Sequence, residues 1–198
     1  MRVIFGIAFL FCTTWSLGQI SSNEWHKGIV VTTDQDTISG EIKYDFSTNM
    51  VTLVKNESVI AFSSHKLIYF EIYDEDYKSY REFYTIPYKN TSNYVTPVLF
   101  ELQYESVLSL LSRENIVMET SSLGYGYGLH IVSHPSVRYD FFFLTKAGKI
   151  TQFSGSKKDL LRILAKKKNE LQTFIKSNRL KTDELRDLVR IIAFYNSI

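Results

Sequence analysis

Cysteine, proline and long apolar runs are scarce in this sequence of 198 residues. The only cysteine is Cys12, so the chain from residue 19 onward has no disulfide, no thiol nucleophile and no cysteine ligand for a metal. A fold without cross-links must be held by its apolar core, and 44% of the residues are hydrophobic and 15% aromatic. These values are typical of a folded domain and exclude a disordered chain.

The longest uncharged apolar run is VIFGIAFLFC, residues 3–12, and it follows the basic residue Arg2. It is too short to span a bilayer, which needs about 20 apolar residues. Small residues, Ser16 and Gly18, occupy the −3 and −1 positions of a cleavage site. We therefore predict that residues 1–18 are a cleaved signal peptide and that the protein is exported to the periplasm or the envelope.

Two other interpretations of this segment are disfavoured. An uncleaved anchor would need a longer run, and this one stops at Thr13. Lipidation at Cys12 would need a small residue before it, where the chain has the bulky Phe11. We expect no membrane span after cleavage.

Recognised catalytic motifs are missing from the sequence. It has no G-x-S-x-G elbow and no H-E-x-x-H pair. The acidic groups at 34–36 and 74–76 lack the glycine and the distal glutamate of a calcium loop. We therefore name no catalytic residue, no metal ligand and no cofactor.

Charge is distributed unevenly along the chain. Residues 19–145 carry nine Lys and Arg against sixteen Asp and Glu, whereas residues 146–198 carry thirteen against five. Either the two parts dock on each other and have solvated faces, or the basic part meets an anionic surface such as lipid headgroups. A candidate basic surface comprises Lys157, Lys158, Lys166, Lys167 and Lys168. Because the protein is expected to be exported, we expect no nucleic-acid partner.

From residue 19 to residue 153 the pattern is that of β-strands joined by short polar turns. Apolar and aromatic residues alternate with polar ones, as on a half-buried pleated surface. The predicted strands are about 27–33, 37–44, 50–54, 58–62, 67–74, 80–86, 97–104, 107–112, 139–145 and 149–153. Antiparallel hairpins follow from the short turns. The sequence leaves open whether they form a barrel, a sandwich or one curved sheet.

The apolar period changes to that of helices in residues 154–198. Ser156, with Asp159 three residues later, predicts a helix start, and Asn178 predicts its end. Thr182, followed by two acidic residues, predicts the start of a second helix. Both helices are amphipathic and must bury one face, so we predict an α+β domain with two C-terminal helices packed on the sheet.

Three stretches resemble a known group of proteins. They are KGIVVTTDQDTISGEI at 27–42, YDFFFLTKAGKITQFSGSKKDLLRIL at 139–164, and the helical end with Tyr195-Asn196. They are similar to uncharacterised secreted proteins of Bacteroidetes-type bacteria. The resemblance implies an exported, β-hairpin-rich domain with C-terminal helices, and it implies no catalytic residues.

The segment SSLGYGYGLHIVSHP, residues 121–135, is the one stretch that looks like a site. Its glycines are followed by strand-like residues, whereas a dinucleotide site needs a helix there. Its two histidines, four apart on a strand, would be about 13 Å from each other, too far for one ion. Tyrosines on a glycine frame are typical of recognition loops. The candidate interaction residues are Tyr125, Tyr127, His130 and His134.

The leading functional hypothesis is a non-enzymatic exported domain that binds a partner protein or the membrane surface. One alternative is a hydrolase of envelope material whose catalytic residues the sequence does not identify. The other is a carrier that holds an apolar ligand inside a small barrel.

Overall fold

The computed structural model describes residues 24–89, 94–124 and 129–198. The predicted signal peptide, Tyr125 and Tyr127 lie outside the described residues. The described residues form ten strands: β1 (His26–Thr32), β2 (Thr37–Asp45), β3 (Met50–Lys55), β4 (Ser58–Ser63), β5 (Leu67–Asp74), β6 (Ser79–Lys89), β7 (Val95–Tyr104), β8 (Leu108–Gly124), β9 (Leu129–Thr145) and β10 (Ile150–Phe153). Three α-helices follow: α1 (Lys157–Ile163), α2 (Lys168–Ser177) and α3 (Leu185–Ser197).

All ten strands belong to one antiparallel sheet in the order β10-β9-β8-β7-β6-β5-β1-β2-β3-β4. The predicted α+β class is confirmed. Among the arrangements that the sequence left open, the structure has a single sheet that does not close. Two strands are longer than predicted: β8 continues to Gly124 and β9 begins at Leu129. Most of the stretch 121–135 that stood out in the sequence therefore belongs to a strand pair.

The sheet curls at a pair of glycines in its interior. Gly28 of β1 lies directly opposite Gly40 of β2. A Cβ at Gly28 would lie 2.0 Å from the carbonyl oxygen of Glu71, and one at Gly40 would lie 2.4 Å from that of Val54. Glycine is needed at both positions because neighbouring backbone takes the space of a side chain. The curl wraps β2 and β3 over a core that includes Val30, Ile42, Leu53, Phe70 and Phe83.

A first prediction concerns this close approach. Gly28→Ala should lower the free energy of unfolding by about 1–3 kcal/mol, because backbone rather than a flexible side chain must move. Chemical denaturation measures the change. Ser39→Ala, at an exposed position beside Gly40, is the matched control and should leave stability unchanged. Equal stability of the two variants would contradict a backbone clash at Gly28.

The strands β7 and β8 pair only at one end. Their ladder runs from Glu101 to Tyr104 of β7, and the earlier half of β7 separates from β8. The turn after β2 and the short 3-10 helix Ser64–Lys66 fill the gap. The main-chain N–H of Leu99 donates to Asn49 Oδ1 at 3.2 Å, and the Ser64 hydroxyl donates to the carbonyl of Pro97 at 2.8 Å. This fork between β7 and β8 is where the candidate sites lie.

The three helices cover the other end of the same sheet face. Their buried residues form one cluster with residues of β8, β9 and β10: Leu108, Leu110, Phe141, Phe143, Phe153, Leu160, Leu161, Leu164, Leu171, Ile175, Leu180, Leu188, Ile191 and Ile192. As predicted, Ser156 caps α1, accepting a hydrogen bond from the N–H of Asp159 at 3.3 Å. Asn178 ends α2, also as predicted.

Two details of the helical prediction are wrong. The first predicted helix is broken between Ile163 and Lys168 into α1 and α2. The second does not begin at Thr182. The buried Thr182 hydroxyl instead donates to the carbonyl of Gly155 at 2.7 Å, and α3 starts at Leu185. Within the described ranges, no helix is long and apolar enough to cross a membrane.

Candidate functional site

Beyond the fork, β8 and β9 continue as a two-stranded arm. They pair along their whole length, from Leu108 opposite Thr145 to Gly124 opposite Leu129. The ladder of β7 stops at Ser112, and that of β10 stops at Phe141. Residues 113–124 and 129–140 therefore have no further strand beside them within the described sheet. At about 3.3 Å per residue, this arm is about 40 Å long.

The arm is packed at its root and exposed farther out. Tyr139 packs on the helical cluster, and Ile116 lines a small cleft with Tyr44 and Met50. Even so, Ile116 is 49% exposed and Met118 is 62% exposed. Alternate residues of a strand face the same side, so these two apolar side chains are neighbours on one surface of the arm.

Two of the four predicted interaction residues belong to the strands of this arm. Tyr125 and Tyr127 fall outside the described residues, in the segment that joins Gly124 to Leu129. In the strand β9, His130 is opposite Leu123 and His134 is opposite Glu119. His134 Nε2 is 4.0 Å from Glu119 Oε2, and both side chains are more than half exposed. The two histidines thus lie in one strand, as the sequence predicted.

The predicted basic surface is divided by the structure. Lys157, Lys158, Lys166 and Lys168 are exposed. Lys167 is half-buried, and its Nζ donates to the carbonyl of Tyr195 at 2.9 Å and also to that of Ile198. A cation at this position donates hydrogen bonds to the last carbonyls at the end of α3 and interacts favourably with the negative end of the helix dipole. Lys167 therefore stabilises α3, and the other four lysines remain available to a partner.

More cations of the helical part are exposed without an ion pair among the described residues. Arg162, Lys181 and Arg190 pair with acids three positions away. Within the described residues, seven other cations of the helical layer have no carboxylate partner: Lys157, Lys158, Lys166, Lys168, Lys176, Arg179 and Arg186. Lys146 and Lys149, in the turn before β10, are also exposed and have none among the described residues. The acids left unpaired in this part are Glu170 and Asp183. The outer surface of the helical layer is consequently strongly positive.

A buried charge cluster, which sequence reasoning missed, lies under the root of the arm. Arg81 Nε and Nη2 donate to the two oxygens of Glu101 at 2.7 and 2.8 Å. Arg81 also contacts Glu114 at 2.7 Å and Asp74 at 3.3 Å. The Tyr44 hydroxyl donates to Glu114 Oε1 at 3.0 Å. The sequence signal was a lone arginine in the aromatic strand YREFY, but its acidic partners come from three other strands.

This cluster is an internal brace. All four charged side chains are less than 10% exposed. Burial by itself lowers the pKa of Arg81, but the hydrogen bonds and charge of Glu101 outweigh burial and raise it above its ordinary value. Burial and then the charge of Glu114 raise the pKa of Tyr139 to about 12. The groups are engaged with one another, which favours a structural role over acid–base chemistry.

A cleft of about 480 Å³ opens on the opposite face of the sheet at the fork. Its walls include Phe46, Tyr88 and Phe142, and its polar groups include Arg113 and Asp140. The Arg113 guanidinium carbon lies 5.6 Å from the Phe46 ring centroid and 5.7 Å from that of Phe100. Arg113 Nη2 donates to the carbonyl of Phe46. The sequence offered no sign of this cleft, because its walls come from five separate strands and a turn.

Comparison with models of protein families, with curated sequences and with solved structures finds no match to this chain. The resemblance to secreted β-hairpin-rich proteins therefore stays a prediction. Function has to be argued from the geometry of the described residues.

Proposed function

We propose that the protein is an exported, non-enzymatic interaction domain that contacts a partner protein of the cell envelope through the β8–β9 arm. The observation that carries this proposal is the arm itself. Its outer residues have unpaired backbone edges, which are templates for pairing with another chain. Exposed apolar side chains, Ile116 and Met118, add contact area on one surface.

The alternatives find less support in the described residues. A hydrolase needs a nucleophile or a pair of carboxylates in an accessible polar cleft. The acids of the buried cluster are bound to Arg81, and the cleft at the fork has a single carboxylate, Asp140, without a hydrogen bond among the described residues. A carrier needs an empty apolar interior, whereas the curled part of the sheet is filled by Tyr44, Phe70 and Phe83. Both observations favour an interaction domain.

A second contact is favoured by the charge of the helical layer. Seven cations of this layer have no carboxylate partner among the described residues, and they would attract an anionic surface, either the membrane or an acidic partner, in a salt-dependent way. We propose this as a weaker, long-range attraction that accompanies the contact made by the arm.

Site-specific photocrosslinking in the native host tests the role of the arm. A photoreactive residue at position 118 should form an adduct with a discrete envelope protein. The same residue at Val59, which is 68% exposed on the edge strand β4, is the matched control and should form none. Because the two positions are similarly exposed, a difference in adduct formation shows that the partner contacts the arm rather than the edge strand β4.

A shortened arm provides the second test. Replacing residues 117–136 by Asn-Gly joins Ile116 to Val137 through a two-residue hairpin turn. We expect an unchanged unfolding temperature and loss of the adduct formed from a photoreactive residue at position 116. An adduct retained by the shortened protein, or equal adducts at 118 and 59, would contradict the proposal.

A further inference from the structure

Arg113 and Asp140 are oppositely charged cross-strand partners that do not form an ion pair. They lie directly opposite each other in β8 and β9, where such pairs normally attract. Yet no carboxylate of the described residues lies within 4.0 Å of the Arg113 guanidinium. Arg113 is held toward the turn after β2, by the carbonyl and ring of Phe46 and by the ring of Phe100.

Each of the two groups therefore keeps unused bonding capacity that faces the cleft. A guanidinium has five N–H donors, and the structure gives Arg113 a single hydrogen bond. Asp140 is half-buried and has no hydrogen bond or ion pair within the described chain. Burial lowers the pKa of Arg113, and the charge of Asp140 opposes this only in part. Half-buried charges without partners gain from a ligand that supplies them.

The two other acids at the cleft are not open to a ligand, because Asp45 is engaged within its own turn and the oxygen of Glu114 that has no hydrogen bond, Oε2, is buried. Asp45 accepts hydrogen bonds from Ser47 and Thr48 in the turn after β2. Glu114 belongs to the brace around Arg81 on the other face of the sheet. The charges left for a ligand are thus one positive and one negative. A plain anion would be attracted by Arg113 and repelled by Asp140.

The remaining walls are aromatic. The ring centroids of Tyr88 and Phe142 lie 5.6 Å apart, and Phe46 lines the same cleft. A cleft of about 480 Å³ is within the range for a small-molecule ligand. Aromatic walls favour an apolar or aromatic body and also suit an ammonium group.

We propose that this cleft binds a small zwitterion, with its anionic group on Arg113, its ammonium group on Asp140 and its apolar part against Tyr88 and Phe142. An amino acid with an aromatic side chain has all three parts, and the phosphoethanolamine headgroup of a lipid has the two charged groups, joined by two methylene carbons. The site lies at the root of the arm, and none of residues 117–136, which the shortened protein lacks, lines it.

Calorimetric titration of the purified protein tests the site with four probes. Phenylalanine and phosphoethanolamine carry both charges, 3-phenylpropionate lacks the ammonium group and phenethylamine lacks the carboxylate. We expect at least one zwitterion to bind and both single-charge probes to bind at least tenfold more weakly, since each loses a charge-assisted hydrogen bond. Tighter binding of phenylalanine identifies an amino acid, and tighter binding of phosphoethanolamine identifies a headgroup.

Asp140→Asn is the decisive variant because Asp140 has no partner in the described chain, so the fold should not change. It should weaken binding of the zwitterion about tenfold. It should strengthen binding of 3-phenylpropionate, because the Asp140 carboxylate that repels this anion is gone. Glu119→Gln, on the outer arm, should alter neither affinity. The shortened arm keeps Arg113 and Asp140 and should bind like the unaltered protein. The proposed site would be wrong if neither zwitterion bound, or if Asp140→Asn bound the zwitterion as tightly as the unaltered protein does. Neither result would affect the proposed role of the arm.

Discussion

Arg81→Met is expected to lower the free energy of unfolding by about 3–5 kcal/mol, since removing one partner of a buried ion pair leaves the other charges uncompensated. Here Asp74, Glu101 and Glu114 would all lose their only cation among the described residues. The guanidinium joins carboxylates from β5, β7 and β8, so four strands would be affected at once. Chemical denaturation at neutral pH measures the change.

Two comparisons show whether the loss of stability in Arg81→Met comes from the burial of its ion pairs. Arg190→Met breaks the exposed pair with Asp187, which should cost less than about 0.5 kcal/mol. Adding Asp74→Asn, Glu101→Gln and Glu114→Gln to Arg81→Met removes the buried charges and should recover part of the loss. If Arg81→Met proves as mild as Arg190→Met, the cluster is not the brace that we infer.

Phe143→Ala should lower the free energy of unfolding by about 3–5 kcal/mol through the cavity it leaves. Phe143 is 1% exposed and belongs to the cluster that joins the helices to the sheet. Its ring centroid lies 5.4 Å from that of Phe153 in β10. Because the cavity would lie between the two layers, helix and sheet signals should lose stability together.

Circular dichroism and tyrosine fluorescence, followed through the same denaturant titration, measure this coupling. Coincident transitions are expected for the unaltered protein and the variant. Ile116→Ala, at a half-exposed position of β8, is the matched control and should change stability by less than about 0.5 kcal/mol. Separate transitions for helix and sheet would show that the helical layer is not part of the same cooperative unit.

Local features of the fold could be predicted because they depend on neighbours in sequence. Alternation of apolar residues indicated the strands, and the 3.6-residue period indicated the helices. Ser156 and Asn178 were predicted correctly as helix boundaries, since caps act within one turn. Thr182 has the same capping chemistry but bonds to Gly155 of another segment, and such a competitor is invisible to a local pattern.

The candidate sites could be predicted only in part. The Tyr-Gly segment stood out by composition, but nothing in it showed that a two-stranded arm of about 40 Å would carry it. Lys167 looked like its neighbours, and only the position of α3 distinguishes it. The lone Arg81 was visible, but its partner Glu114 is 33 positions away.

By itself, the sequence determined the order of the strands and the helical part along the chain, where the chain is acidic or basic, and that no cysteine follows residue 12. The tertiary structure alone decided that β1 lies between β2 and β5, and that β7 parts from β8. That separation creates both the arm and the cleft. It also gives two arginines opposite fates: Arg81 is surrounded by acids, whereas Arg113 is held away from Asp140 by Phe46. The reason is physical, because side chains from distant strands meet only when the whole sheet has curled and packed.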